Sequence, residues 1–194
     1  MKTLHDYFTA ASTFADMASA SAEHGPLFMA QRERAQVPDD LVARVEALHG
    51  DWHLLVISED WCIDSQSTTP VISAFADRAA NLDLRVIARD ENLELMDAHL
   101  TNGTSRSIPV VILLDADHQE RAWWGPRPAP VQKLATTEWK EMEKPARNRE
   151  IRRWYAMDKG RTILEEITTL LEQAAATQPA SATASATASA IAGS

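Results

Sequence analysis

The 194-residue chain predicts an α/β sandwich built on a mixed sheet, and three observations carry that expectation. Trp52–Ile57, Leu82–Ala88 and Pro109–Leu114 are short, largely apolar runs of the length of buried strands. The first two are separated by a helical stretch long enough for the crossover that a parallel pair requires. The third is followed by Asp115-Ala116-Asp117-His118, a turn short enough to return Arg121–Trp124 antiparallel. A β-α-β unit followed by a helix and a hairpin is a mixed sheet covered by helices.

The remaining elements follow in order. Leu4, Tyr7, Phe8, Ala11, Phe14, Ala15 and Met17 recur at spacings of three and four, which predicts one amphipathic helix over residues 4–23, stopped by Gly25-Pro26. A second helix starts at Pro38-Asp39-Asp40, where acids suit the positive end of the dipole. It carries Leu41, Val42, Val45 and Leu48 to Gly50. Residues 61–80 read as a helix with Val71, Ile72, Phe75, Ala76 and Ala79 inward, interrupted by Pro70. Glu91–Leu100 reads as a short helix closed by Asn102-Gly103. Gly125–Pro130 is a rigid connector to helices over 131–142 and 146–173, with Pro145 between them. The second of these is expected to pack on the sheet through Ile151, Trp154, Tyr155, Ile163, Ile167, Leu170 and Leu171. The final Ala/Ser/Thr near-repeat cannot bury enough surface to offset its ordering entropy. The chain therefore divides into a helical extension (1–50), a core domain with C-terminal helices (51–173) and a disordered tail (174–194).

Composition excludes several function classes. Apolar residues make up 45% and charged residues 24%, ordinary for a globular domain. A net charge of −9 and a pI near 5.1 argue against a nucleic-acid partner held through its phosphates. No apolar run reaches the length of a membrane span, and the first 25 residues carry His5, Asp6, Asp16 and Glu23 without a continuous apolar stretch. No membrane association and a cytoplasmic location are therefore expected. Six histidines without metal-ligand spacing and a single cysteine predict no metal site, and no glycine-rich phosphate loop points to a bound cofactor.

Chemistry concentrates at Ser58-Glu59-Asp60-Trp61-Cys62-Ile63-Asp64-Ser65, between a strand and a helix. A cysteine in a helix's first turn faces unpaired N–H groups and the positive end of the dipole, which favour the reactive thiolate. Glu59, Asp60 and Asp64 favour the thiol. The sign rests on geometry.

This stretch resembles the thioredoxin superfamily, whose strand-to-helix junction carries Trp-Cys-x-x-Cys. Here it reads Trp61-Cys62-Ile63-Asp64-Ser65, a Trp-Cys-x-x-Ser variant. Pro70 matches that family's kinking proline, Ile108-Pro109 its cis proline before a core strand, and Gly125 its glycine after the hairpin. Arg89–Met96 and Asn102–Pro109 are similar to an uncharacterised bacterial thioredoxin-like family, and the resemblance spans roughly Trp52 to Trp124. It implies a thioredoxin-like three-layer sandwich with helical extensions, Cys62 as nucleophile and Ser65 as a hydrogen-bond donor to its thiolate. The Ile108 backbone would pair with an extended substrate, and Trp61 would form the rim. Arg106 would reach a carboxylate such as glutathione's. Trp61 as a packing residue, Arg106 as a solvated surface arginine and Pro109 as an ordinary trans proline remain alternatives.

Two departures limit what the resemblance implies. Ser65 stands where the resolving cysteine belongs, and a hydroxyl cannot attack a mixed disulfide. Val56 stands where the family places a buried acid. The implied activity is a monothiol thiol-disulfide oxidoreductase that acts on a protein thiol or disulfide, with glutathione or another external thiol resolving the intermediate. The alternatives are a binding module for an extended peptide or partner protein, and a sensor that dimerises through Cys62.

Overall fold

The computed structural model describes residues 2–177. Thr3 and Asp6 exchange hydrogen bonds in a capping box that starts α1 (Leu4–Ala10). The helix expected over 4–23 is two helices. Ser12 exchanges both backbone hydrogen bonds with Val86, at 3.0 and 2.8 Å, and Thr13 then caps α2 (Phe14–Ala20). Apolar spacing runs through the break because both helices turn that face inward, so periodicity alone does not register it. Gly25-Pro26 starts a helix instead of stopping one. Proline fits the first turn of α3 (Gly25–Glu33), where its N–H is not needed, and a Cβ on Gly25 would collide with the Ala18 carbonyl. The helix α4 (Asp39–Glu46) opens on two acids, as its sequence predicts.

The centre of the molecule follows the apolar runs closely. Trp52–Ser58 form β1, Ile63–Ala76 form α5 with Pro70 inside it, Leu82–Ala88 form β2, and Leu93–Asp97 form the short α6. Val110–Leu114 form β3 and Glu120–Trp124 form β4. The sheet order is β2-β1-β3-β4. β1 is parallel to β2 and antiparallel to β3, and β4 is antiparallel to β3 with an irregularity at Leu113/Leu114.

The C-terminal region has a different punctuation from the one its sequence suggested. After α7 (Ala129–Thr136), Pro145 sits in the first turn of α8 (Lys144–Asp158) instead of separating two helices. The stretch expected to be one helix over 146–173 breaks at Lys159-Gly160. Both residues are left-handed, with φ of 54° and 83°, and a Cβ on Gly160 would run into the Val71 side chain. The following α9 (Arg161–Thr177) includes residues 174–177, assigned above to the tail; residues 178–194 lie outside the described residues.

Alternation along the strands divides the interior into two layers. Leu54, Val56, Val111 and Leu113 face a large cluster with Phe14, Phe28, Leu41, Ile72, Phe75, Ile163 and Ile167. Leu55, Ile57, Val110, Ile112 and Leu114 face a smaller cluster with Tyr7 and Phe8 of α1 and Leu95 and Met96 of α6. The result is an α/β three-layer sandwich.

Candidate functional site

The register of β1 on β3 builds the site. Ile57 lies opposite Val110, so the chain leaving β1 emerges beside the chain entering β3. Cys62 and Ile108, 46 residues apart, meet there: the Cys62 thiol donates to the Ile108 carbonyl at 3.5 Å. Cys62 is the N-cap of α5, its backbone extended and its own carbonyl accepting from the Gln66 N–H at 2.8 Å. The Ile108–Pro109 peptide is cis. Ser65 is fully buried in the first turn of α5, and its hydroxyl stays unpaired while the Cys62 proton points to Ile108, which leaves it free to stabilise the thiolate.

Trp61 forms a wall that is 51% exposed, with the Arg89 guanidinium 4.9 Å from its ring centroid. Arg106 takes no part. Its guanidinium is committed to Asp97 through two bonds of 2.6 and 2.8 Å, because that carboxylate at the end of α6 meets it first. The structure thus brings together Cys62, Ser65, Ile108, Pro109 and the adjacent Trp61, and directs Arg106 to a structural ion pair.

Geometry also fixes the sign left open above. Burial, the largest influence, pushes the Cys62 thiol up. The Ser65 N–H opposes it, the Asp64 charge adds to it, and the Ser65 hydroxyl and Asp64 N–H oppose it again. The result is a raised pKa, opposite to the depressed one a thiolate nucleophile calls for, and the bond to the Ile108 carbonyl likewise suits the protonated form. The helix terminus is present, but the sulfur sits too deep for it to prevail.

Three residues next to this site were not singled out as its members. The buried Asp64 carboxylate accepts from Arg127 Nε at 2.9 Å and Nη2 at 2.6 Å, and from the Tyr155 hydroxyl at 2.9 Å. Burial works against the charge on Arg127, yet Asp64 outweighs it and holds the guanidinium above its ordinary value. Burial, then the Asp64 charge, pushes the Tyr155 hydroxyl up. Asp64 was visible as an acid beside the cysteine, but its partners lie 63 and 91 residues away. The one usable signal is Gly125, at φ 135°, where a Cβ would strike the Pro109 carbonyl; the bare backbone lets the connector cross Pro109 and deliver Arg127 to α5.

Among the described residues no group of His, Cys, Asp and Glu is placed to hold a metal ion, and no helix is long and apolar enough to cross a membrane.

A β2-β1-β3-β4 sheet, with a cysteine at a helix start facing the residue before a cis proline, defines a thioredoxin-type architecture. The family model described as Thioredoxin matches residues 12–143, and the chain belongs to that family. Two solved structures share its fold. A protein of unknown function from Pseudomonas aeruginosa superposes with a TM-score of 0.70 at 18% identity, covering 90% of this chain and 99% of that one. An HIV epitope-scaffold superposes with a TM-score of 0.69, also at 18% identity, covering 89% and 99%. No curated protein matches the chain.

Proposed function

We propose that this thioredoxin-family protein is a monothiol exchanger that forms long-lived mixed disulfides through Cys62. The supporting observation is the convergence of Cys62, Ser65 and the Ile108 carbonyl at the start of α5, beside the exposed Trp61.

Cys62 loses its proton to solvent, and its thiolate attacks one sulfur of a protein or glutathione disulfide. A new S–S bond forms, the old one breaks, and the departing thiolate takes up a proton. Ser65 cannot reverse this from within, so a second thiol from solution, glutathione or a protein, attacks the mixed disulfide and releases Cys62 reduced. A cytoplasmic setting would supply that thiol.

The raised pKa gives this exchanger its character. Each unit of increase lowers the thiolate fraction at neutral pH about tenfold and raises thiolate nucleophilicity only about threefold. Attack is therefore slow. A high-pKa thiol is also a poor leaving group, so the mixed disulfide persists once formed.

Incubation of the folded protein with glutathione disulfide from pH 7 to 10 tests this by mass spectrometry. The expected result is a single adduct on Cys62 that forms faster as pH rises, survives dilution and disappears when fresh thiol is added. Cys62→Ser should form none. Absence of an adduct on the folded wild type at every pH would overturn the reading.

One observation favours a second reading. A half-buried thiol bonded to Ile108 is also what a peptide- or partner-binding module would retain after losing catalysis. Partner affinity unchanged by Cys62→Ser would identify that module.

A further inference from the structure

The chain carries a net charge of −9, yet one of its cavities is lined by cations and by no acid. It lies between the end of α3, the outer face of α5 and the last turns of α8, and encloses about 550 Å³. Arg34, Arg152 and Lys159 converge on it, and among the described residues none of the three takes part in an ion pair. Asp158, the acid nearest in sequence to Lys159, is engaged by the N–H and hydroxyl of Thr162. Between the cations the wall is mixed: Leu27, Val71, Ala156 and the Tyr155 ring, whose hydroxyl points away to Asp64, form an apolar strip beside Gln31, Gln36, Gln66 and Ser67. Gly160 closes one side, pressed so near Val71 that no larger residue fits.

Arg34, Arg152 and Lys159 are exposed, so solvent screens their mutual repulsion, and an anion seated in the concavity between them gains attraction from all three. Acids are in surplus in this chain, and none has been placed there. The volume falls within the range of small-molecule sites, and the mixture of apolar strip and convergent polar groups is typical of them. We propose that this cavity binds a small organic anion. Its phosphate or carboxylate would be held by Arg34, Arg152 and Lys159, and its apolar or aromatic body would lie against Leu27, Val71 and the Tyr155 ring. Guanidinium forks suit either acidic group, since both offer paired oxygens. The volume and the apolar strip select an ester or an aromatic acid over the bare ion.

Titration calorimetry of the full chain with 1-naphthyl phosphate tests this. Binding is expected to be at least tenfold tighter than that of 1-naphthol, which lacks the charge, or of inorganic phosphate, which lacks the ring. Arg152→Glu should weaken it about tenfold, the scale of one charge-assisted hydrogen bond. Arg153→Glu makes the same change of net charge on an exposed neighbour outside the cavity and should leave affinity within twofold. Both side chains are exposed, so neither substitution threatens the fold. Naphthol or phosphate binding as tightly as the ester, equal losses in the two variants, or no binding at millimolar ester would each overturn the proposal.

Discussion

On one face of the sheet, Leu54, Val56, Val111 and Leu113 lie beneath a thick layer drawn from α2, α3, α4, α5, α8 and α9. On the other, Leu55, Ile57, Val110, Ile112 and Leu114 are covered by two short helices, α1 and α6, and little else. The thick layer is closed chiefly by apolar contact around the Asp64–Arg127–Tyr155 cluster. The thin layer is closed at its margins by imidazoles: His53 stacks on His118 at 4.3 Å between centroids and meets the Phe8 ring at 4.9 Å, while His99 is buried against Glu120 at 3.1 Å. One face depends mainly on area removed from water, the other also on protonation. Cys62 sits where the layers meet, its side chain packed against the thin cluster and its helix belonging to the thick one.

The largest expected effect tests this asymmetry directly. Phe75→Ala, in the thick layer, should cost about 3–5 kcal/mol in urea denaturation. Phe8→Ala should cost less, below about 3 kcal/mol, because α1 has only seven residues and can open locally without unfolding the sheet. Hydrogen exchange should then quicken in α1 and leave β1 protected. Equal losses at the two positions would erase the distinction.

Next in size are the pH effects, which have opposite signs within the thin layer. Burial, then His118, depresses the His53 pKa. Its contribution to stability is therefore present above the unfolded value of about 6.5 and lost as pH falls through the folded value. For His99, burial opposes the charge, but the bonds to Glu120 and Leu95 win and raise it. Its contribution is full below about pH 6.5 and lost as pH rises through the folded value. His53→Leu should flatten the loss of stability between pH 7 and 5, whereas Glu120→Gln should lower stability at pH 5 more than at pH 8. Denaturation midpoints of the two variants at those pH values check both signs, and parallel profiles would contradict them.

The smallest effect sharpens the junction between the layers. Asp64→Asn removes a charge that holds the thiol up, so alkylation of Cys62 at pH 7 should accelerate several-fold and its midpoint should move to lower pH. An unchanged profile would mean that burial alone sets the sulfur's behaviour.

Much of this arrangement was legible in the sequence, and the exceptions have physical causes. The four strands were readable to within about a residue because apolar runs end where burial ends. Cys62 stood out at the junction of a strand and a helix, whereas Ser65, Ile108 and Pro109 were singled out only through the family resemblance. Local punctuation was ambiguous: Gly25-Pro26 can close a helix or open one, and here the close packing of Gly25 against Ala18 decides it. The break at Lys159 was hidden because Ile151, Tyr155, Ile163 and Ile167 keep helical spacing across a left-handed turn. Arg106 looked free because its acid, Asp97, comes from a helix that folds back on it. Arg127 and Tyr155 carried no local mark, since only tertiary packing joins them to Asp64.

The pairing of Ser12 with Val86 has a consequence for the protein in crowded solution. β2 is an outer strand, and a row of unpaired amides along such a rim is a template on which another chain can lay a strand. Ser12 occupies both outward-facing groups of Val86 near the middle of that rim. The short break between α1 and α2 therefore acts as a stopper: it leaves too little continuous edge for a neighbouring molecule to extend the sheet. The first dozen residues thus shield one of the sheet's two edges, the β2 side, from strand addition.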